Sequence, residues 1–299
     1  MDISIFREHF TQEKLLPNAL MNEYTAFKIG GPADLLILPS SAEEIRLAIS
    51  LCKQGNLPYF VMGKGSNLLV KDAGFRGVVI NISKNFEHVE RVDDCVIRAD
   101  AGITLAKLAA FAADLGLSGL EFASGIPGSL GGAVYMNAGA YDGAMSDVIR
   151  TVGVIDEDGN EFDMSKSEAE LGYRSSIFQK TKYIIKNCTL ELEPCDKGLI
   201  KEKMLDLNGR RKASQPLDLP SGGSTFKRPE GYYAAKLIDD SGLRGYSIGG
   251  AKVSEKHAGF VVNYDNATAQ DVIDLMEHIK STVYEKFGVT LVQEIEVLG

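Results

Sequence analysis

The sequence contains few cysteines and no cysteine pattern typical of a metal or redox site. Its four cysteines, Cys52, Cys95, Cys188 and Cys195, form no CxxC pair and show no His/Cys spacing that would hold a metal. We therefore predict no metal and expect reduced thiols, mostly buried as small apolar side chains. This use of cysteine is typical of a cytoplasmic protein.

An excess of positive charge and long apolar runs are also lacking. The formal net charge is −9, and a general nucleic-acid binder needs a basic surface to bind phosphates. No stretch reaches the roughly 18 uncharged apolar residues of a membrane-spanning helix, and Met1–Phe10 has no apolar run typical of a signal peptide. We expect a cytoplasmic monomer that binds neither nucleic acid nor membrane. A small anionic substrate would need only a local cluster of cations.

The hydrophobic pattern mixes helices and strands without strict alternation. The length of 299 residues fits two or three domains, and 44% hydrophobic residues allow a sizeable core. Helical spacing with capping residues predicts helices over residues 41–55, 104–115, 199–212, 232–240 and 268–287. Short apolar runs predict strands over residues 59–62, 78–82, 95–99, 151–155, 183–192 and 289–297, with a hairpin turn at Asp158-Gly159. This mixture predicts an α+β fold.

Alternation in the last predicted strand separates its side chains into two sets. Leu291 and Ile295 share one face with Val289 and Val297, so Glu294 points the other way. Further back, the segment near residue 197 marks a boundary between a cofactor part and a substrate part.

Two segments are unusually rich in glycine, residues 63–69 and residues 125–133, and a shorter one follows at 137–140. Glycine lets backbone N–H groups approach a phosphate without a Cβ in the way, so two such loops could cradle a pyrophosphate. Neither loop matches the Rossmann or P-loop order. Each loop alone is equally compatible with a tight turn at a strand end, but the pair favours a dinucleotide site.

Together with other blocks, these loops resemble the UDP-N-acetylenolpyruvoylglucosamine reductase family, which has the FAD-binding fold of vanillyl-alcohol-oxidase-type proteins. The matching blocks follow the family order over most of the chain. They are residues 25–31, 62–69, 125–133, 172–176, 215–216, 220–227, 234–238, 249–260 and 291–295. The chain is similar to the shorter subclass, because it has no room for the inserted loop whose tyrosine folds over the substrate in longer members.

The resemblance implies a reaction, its cofactors and a domain order. NADPH would reduce FAD, and the enolpyruvyl ether of UDP-N-acetylglucosamine would be reduced to UDP-N-acetylmuramate for peptidoglycan synthesis. Residues 59–71 contain neither histidine nor cysteine, so we predict a non-covalent flavin. The implied domains are FAD-binding lobes at 1–85 and 86–197 and a substrate-binding domain at 198–287. A C-terminal strand at 288–299 would return to the second lobe.

The resemblance also assigns residues to the cofactor. The predicted FAD contacts are Gly63, Lys64, Gly65, Ser66, Asn67, Leu68, Gly125, Ile126, Pro127, Gly128, Ser129, Gly131, Gly132, Ala133, Asn137 and Gly139.

Three catalytic residues follow from the same motif matches. Arg174 would stabilise the enolate charge with its planar, permanently charged fork, although a surface ion pair is the plainer interpretation. Ser224 would protonate the substrate carbon, or else be an ordinary serine in a glycine turn. Glu294 would assist as a hydrogen-bonding carboxylate, or else be a solvated strand residue.

Candidate substrate contacts are less specific. Lys227 follows the predicted catalytic serine and is the better cation for the diphosphate. Arg211 ends a predicted helix, where a positive charge also complements the helix dipole. His257 and Tyr173 are further candidates, and structural roles compete for both.

Two other functions remain open. An FAD-dependent sugar or alcohol oxidase would not need Ser224 as a proton donor and would use oxygen instead of NADPH. A nucleotide-sugar binding protein without catalysis would be colourless, whereas a flavoprotein is yellow.

Overall fold

The computed structural model describes residues 3–299, so Met1 and Asp2 lie outside the described residues. Within this range the chain forms eight α-helices: α1 (Ser4–Arg7), α2 (Ala42–Gln54), α3 (Leu105–Leu115), α4 (Leu130–Tyr135), α5 (Met145–Val148), α6 (Lys197–Ser214), α7 (Ala234–Asp240) and α8 (Ala269–Phe287). The described strands are β1 (Leu15–Leu20), β2 (Pro32–Ile37), β3 (Tyr59–Met62), β4 (Leu68–Val70), β5 (Phe75–Asn81), β6 (Val89–Asp93), β7 (Val96–Asp100), β8 (Leu117–Ser118), β9 (Gly139–Ala140), β10 (Gly143–Ala144), β11 (Ile149–Ile155), β12 (Glu161–Ser165), β13 (Ile184–Glu191), β14 (Glu193–Pro194), β15 (Ser247–Ile248), β16 (Ala251–Val253), β17 (Val261–Asn263) and β18 (Glu296–Leu298).

The five predicted helices are confirmed as α2, α3, α6, α7 and α8. Side chains that the sequence analysis identifies as caps begin α2, α3 and α8. The hydroxyl of Thr104 accepts a hydrogen bond from the Lys107 N–H, and Gly116 ends α3 in the left-handed conformation, φ 74°. Thr268 and Asp271 form a capping box at the start of α8. These local contacts satisfy backbone groups that the first and last turns leave unpaired.

The strands form one large antiparallel sheet and several smaller sheets. The five-stranded sheet has the order β12-β11-β13-β7-β6, and its pairs are antiparallel. A four-stranded sheet has the order β1-β2-β5-β3, in which β3 and β5 are parallel, and a three-stranded sheet has the order β15-β16-β17. The predicted hairpin is confirmed as β11 and β12. Because the largest sheet is antiparallel, the fold is not a doubly wound sheet, in which helices and parallel strands alternate.

The chain divides into two compact units, each with its own apolar core. Unit 1 comprises the described residues through Leu16, with Leu35–Lys64 and Gly77–Arg211. Unit 2 comprises Pro17–Asp34, Gly65–Arg76 and Lys212–Gly299. In unit 2 the core includes the predicted stripe of α8, which consists of Val272, Leu275, Met276, Ile279 and Val283. The predicted domain limits at residues 85, 197 and 287 stay a prediction.

The predicted strand over residues 289–297 is wrong in its extent. Only β18 is a strand, and it pairs in parallel with β4, with Glu296 opposite Leu68. The partner strand therefore lies at residues 68–70, not in residues 86–197, to which we expected the strand to return. Leu291 and Ile295 are nevertheless buried, while Glu294 is half-buried. The backbone before β18 forms no regular strand pairing. It hydrogen-bonds to the neighbouring segment at Thr225.

The cysteines are free thiols in three kinds of environment. Cys52 and Cys188 are buried as predicted, Cys95 is half-buried and Cys195 is exposed. Burial raises the pKa of the Cys52 thiol to about 12. No helix in the described part of the chain is both long and apolar enough to cross a bilayer.

Candidate active site

The first glycine-rich segment begins where β3 ends, and Gly63 lies against a buried serine of the second segment. A Cβ placed on Gly63 would lie 2.0 Å from the Ser129 Oγ, so only glycine leaves room for that hydroxyl. Ser129 is 1% exposed, and its Oγ is buried without a hydrogen-bond partner. A buried hydroxyl that is left unsatisfied is costly, so it is expected to bind a polar group that the protein itself does not provide.

The second glycine-rich segment differs from a simple cradle of free N–H groups. The N–H groups of Leu130 and Gly131 donate to the carbonyls of Ile103 (2.9 Å) and Ala101 (2.8 Å). A Cβ on Gly131 would lie 2.9 Å from the Ala101 Cβ, so close packing alone requires glycine there. Some glycines of this loop therefore serve the fold, whereas the Ser129 hydroxyl is left without a partner in the protein.

The predicted cofactor residues differ in burial. Lys64, Pro127 and Gly132 are exposed; Gly63, Gly65, Ser66, Asn67, Gly125, Ile126, Gly128 and Gly139 are half-buried; and Leu68, Ser129, Gly131, Ala133 and Asn137 are buried. Leu68 belongs to β4 and its side chain lies in the interior.

Asn67 connects the first glycine-rich segment to Glu294 within unit 2. Its side-chain Nδ2 donates to the Glu294 carbonyl (2.9 Å), and its own carbonyl accepts from the Glu296 N–H (2.9 Å). The amide of Asn67 therefore fixes the backbone that carries Glu294.

Ser224 and Glu294 lie on adjoining segments of unit 2. The Glu294 N–H donates to the carbonyl of Thr225 at 2.9 Å, and Thr225 follows Ser224 directly. Thr225 is fully buried, and its Oγ1 accepts from the Val261 N–H at 2.9 Å. Ser224 itself is exposed and follows Gly223, which has a φ of 83°. An exposed hydroxyl and a half-buried carboxylate thus lie on two adjacent, hydrogen-bonded segments of backbone.

Arg174 lies in unit 1 at the tip of a tight turn. The N–H of Gly172 donates to the Ser175 carbonyl (3.0 Å) and the Ser175 N–H donates back to Gly172 (3.3 Å). Arg174 is half-buried and has a left-handed backbone, φ 49°, which is uncommon for a side chain of this size. Its Nη2 donates to the carbonyl of Gly139 at 3.2 Å. Unfavourable backbone conformations that are held by surrounding contacts cluster at active sites and ligand-binding sites.

The candidate substrate residues fall into both units. Arg211 is in unit 1 beside the second glycine-rich segment, because a Cβ on Gly125 would lie 3.2 Å from its Cδ. Burial lowers the pKa of its guanidinium. Tyr173 is 58% exposed, and the Arg174 Cζ lies 5.3 Å from its ring centroid. Both residues therefore belong to the same unit as the glycine loop and the arginine turn.

Lys227 and His257 belong to unit 2. The Lys227 N–H donates to the Val292 carbonyl at 2.8 Å, so its backbone is fixed beside the segment that leads to Glu294. The Nδ1 of His257 accepts from the Gly259 N–H at 3.1 Å, and burial lowers the pKa of its imidazole. This contact gives His257 a structural role, and its substrate contact stays a prediction.

Three residues to which the sequence analysis assigns no role support the candidate site residues. Gln179 donates to the Tyr135 carbonyl (2.9 Å) and to the Arg174 carbonyl (3.3 Å), and Ser176 donates to Tyr135 (2.6 Å). Asn208 on α6 donates to the Ser124 Oγ at 3.2 Å, just before the second glycine-rich segment. Of these residues only Ser176 lies in one of the matching blocks. The contacts of the other two join residues that show no shared spacing.

The residues of unit 1 fit a dinucleotide such as FAD. The Ser129 hydroxyl is buried and has no hydrogen-bond partner in the protein, and Gly63 leaves the space that this hydroxyl needs. Ser129 and the surrounding glycines would hold the cofactor.

Family models match two separate parts of the chain. The model of an FAD binding domain matches residues 33–165. The model described as "UDP-N-acetylenolpyruvoylglucosamine reductase, C-terminal domain" matches residues 215–298. The first match includes the second glycine-rich segment and Ser129, and the second includes Ser224 and Glu294. The α+β class with an FAD-binding domain is therefore confirmed.

Relatives with the same description match nearly end to end. The UDP-N-acetylenolpyruvoylglucosamine reductase of Clostridium perfringens (strain SM101) is 50% identical over 98% of this chain and 95% of its own length. That of Clostridium novyi (strain NT) is 50% identical over 96% of this chain and 93% of its own length.

Solved structures agree with these relatives. The UDP-N-acetylenolpyruvylglucosamine reductase of Thermus caldophilus is similar at a TM-score of 0.79 and 36% identity, over 94% of this chain and 98% of that chain. An alkyldihydroxyacetonephosphate synthase at 18% identity and a TM-score of 0.51, over 64% of this chain and 40% of that one, shares the fold alone. The chain belongs to the UDP-N-acetylenolpyruvoylglucosamine reductase family.

Proposed function

We propose that this chain reduces UDP-N-acetyl-3-O-(1-carboxyvinyl)-glucosamine to UDP-N-acetylmuramate for peptidoglycan synthesis, with NADPH as the reductant and FAD as a non-covalent cofactor. The similarity to reductases of that name over 98% of the chain carries this proposal. Bound FAD supplies the hydride-transfer chemistry, which side chains alone do not provide. The residues of the chain must bind the substrate, stabilise its charge and deliver a proton.

Arg174 is the proposed charge stabiliser. Addition of hydride to the terminal methylene carbon of the enol ether leaves negative charge that is delocalised into the substrate carboxylate. A guanidinium offers two parallel N–H donors that match a carboxylate, and it stays charged at any working pH. The turn that fixes Arg174 limits its freedom before substrate binds, so little reorganisation is needed when the charge develops.

Ser224 and Glu294 are the proposed proton-transfer pair. The exposed Ser224 hydroxyl donates its proton to the carbon next to the new methyl group, so that one hydride and one proton add across the double bond. Glu294 lies on the adjoining segment and assists by hydrogen bonding. Lys227, in the same part of the chain, is the proposed partner of the diphosphate. We further propose that the protein acts in the cytoplasm as a monomer.

The deciding experiment measures NADPH oxidation by the purified yellow protein under anaerobic conditions. Addition of the enolpyruvyl nucleotide sugar should start stoichiometric NADPH loss, with a product heavier by two hydrogen atoms in mass spectrometry. No loss of NADPH that depends on this substrate would refute the proposal. Flavin reduction by sugars or alcohols, with reoxidation by oxygen, would indicate an oxidase, and a colourless protein would indicate a binding protein.

A further inference from the structure

Asn137 is a buried asparagine whose side-chain oxygen and nitrogen both form hydrogen bonds within the protein. It is 6% exposed and has a left-handed backbone, φ 40°. Its Oδ1 accepts from the Ser146 N–H at 2.9 Å, and its Nδ2 donates to the Gly172 carbonyl at 2.9 Å. A further contact joins Nδ2 to the Ser146 Oγ at 3.4 Å. Both the oxygen and the nitrogen of the amide are therefore engaged within the protein, whereas the sequence predicts a cofactor contact.

The Gly172 carbonyl is the base of the turn that carries Arg174. The same carbonyl accepts from the Ser175 N–H at 3.3 Å, so it is shared between closure of the turn and the amide of Asn137. Because Arg174 lies between the two residues that close the turn, a movement of the base would displace the backbone that carries the guanidinium.

The segment that contains Asn137 also contacts the tip of this turn. Gly139, two residues after Asn137, accepts a hydrogen bond from the Arg174 Nη2 at 3.2 Å. One short stretch of chain therefore contacts both the base of the turn, through Asn137, and the guanidinium, through Gly139. Two contacts at separate points define an orientation, whereas one contact alone leaves a rotation free.

We propose that Asn137 is a positioning residue that sets the direction of the Arg174 guanidinium, and that it does not contact the cofactor. The catalytic consequence rests on the proposed function, in which Arg174 stabilises charge on the substrate. The positioning itself is a property of unit 1, so it can be measured without substrate.

The principal variant is Asn137→Gly, because glycine keeps the left-handed backbone and removes only the amide. Asn56→Gly is the matched control, since Asn56 has a φ of 49° in the same unit and is exposed. Hydrogen exchange of peptides covering residues 172–176 should become faster in Asn137→Gly and stay unchanged in Asn56→Gly. Unchanged exchange in Asn137→Gly would overturn the proposal whatever the activity.

The catalytic test is a double-mutant cycle with Arg174→Ala. Asn137→Gly should lower turnover about 10- to 100-fold in the otherwise unchanged protein, because a displacement near 1 Å has effects of this size. In the Arg174→Ala background the same change should alter turnover less than about 2-fold, since residues that act through one hydrogen-bond network are non-additive. An equal loss in both backgrounds would overturn the positioning role.

Flavin content separates positioning from cofactor binding. The absorbance near 450 nm per protein, and the rate at which NADPH reduces the flavin, should match the parent protein in Asn137→Gly. Loss of flavin would overturn the proposal in favour of a cofactor contact. A second variant, Asn137→Asp, keeps the acceptor for the Ser146 N–H and loses the donor to Gly172, so it should reproduce the turnover defect. Absence of any reaction in the parent protein would refute the proposed function alone, and the exchange experiment would still decide the positioning.

Discussion

At the scale of single residues, the main finding is that the proposed catalytic arginine has an unfavourable backbone. A non-glycine residue in the left-handed region costs about 1–2 kcal/mol, and Arg174 has a φ of 49°. Paired contacts between Gly172 and Ser175, together with the amides of Asn137 and Gln179, hold this conformation. The fold therefore maintains strain at the residue whose direction matters for charge stabilisation.

Ser224→Ala should separate the two halves of the reaction. NADPH should still reduce the flavin, whereas turnover with the enolpyruvyl substrate should fall about 10²- to 10⁴-fold through loss of the proton donor. Stopped-flow measurement of each half-reaction checks this, with Ser247→Ala on the exposed end of β15 as the control. Equal slowing of both halves would point to a structural role for Ser224.

His257 should make stability depend on pH below neutrality. Burial lowers the pKa of its imidazole from the ordinary value of 6.5, so the unfolded chain binds the proton first. The free energy of unfolding should therefore decrease as pH falls through about 6.5. In urea titrations this decrease should be smaller for His257→Gln than for the parent protein. His88→Gln is the control, because the side chain of His88 is 71% exposed. An equally reduced pH dependence of the free energy of unfolding in that control would show that the effect is not specific to His257.

The sequence predicts some of the candidate site residues but not the contacts that hold them. It selects Arg174, Ser224 and Glu294 through motif matches, and these roles stay predictions. It does not predict that Asn137 binds Gly172, because that contact joins residues 35 positions apart with no repeating pattern.

At the scale of elements, the glycines of the two loops have distinct reasons to be glycine. Gly63 makes room for the Ser129 hydroxyl, whereas Gly131 makes room for Ala101 in the interior. A glycine-rich segment therefore predicts a close approach to the backbone, but the approaching group is a buried hydroxyl in one case and an apolar side chain in the other.

Gly63→Ala should weaken flavin binding, because the new Cβ would lie 2.0 Å from the Ser129 Oγ and displace it. The purified variant should contain less flavin per protein, and added FAD should bind with at least about 10-fold lower affinity, equivalent to 1.4 kcal/mol. Fluorescence titration with FAD checks this.

The matched control is Gly209→Ala in α6, where a Cβ meets nothing within 4 Å. It should keep full flavin and raise the free energy of unfolding by about 0.5–1 kcal/mol, because alanine is the better helix former. Full flavin in Gly63→Ala would contradict the assignment of this contact to the cofactor.

Elements with local signals were predicted best. The helices α2, α3 and α8 are preceded by Ser41, Thr104 and Thr268, whose caps are visible in the sequence. The C-terminal strand was predicted too long because its alternation reflects burial against several neighbours. Its real partner, β4, lies far away in sequence, and no local pattern reports such pairing.

At the scale of the whole molecule, two cores are built from interleaved stretches of one chain. Each core buries its own set of apolar residues, so the family matches at 33–165 and 215–298 describe the chain only approximately. Fold class followed from the mixed pattern of helices and strands. The division into units could not follow from it, because residues 17–34 and 65–76 join unit 2 through contacts distant in sequence.

Removal of FAD should lower the stability of the molecule reversibly. Acid precipitation should release the flavin into the supernatant, as expected for a non-covalent cofactor. After refolding or gentle stripping, FAD at 100 times its Kd should raise the free energy of unfolding by about 2.7 kcal/mol, because it binds only the folded state. Thermal unfolding with increasing FAD measures this effect. Flavin that stays with the precipitated protein would contradict the prediction of non-covalent binding.

The pairing of β18 with β4 also determines when unit 2 can complete its folding during synthesis. Asn67 hydrogen-bonds to a residue 227 positions later, so this contact cannot form until Glu294 has been synthesised and has left the ribosome. The residues of unit 1 are all synthesised by Arg211, whereas unit 2 waits for Lys212–Gly299. A ribosome stalled shortly before residue 294 would thus carry a chain that lacks the Asn67–Glu294 contact and the partner strand of β4, which leaves this part of unit 2 more accessible to chaperones and proteases.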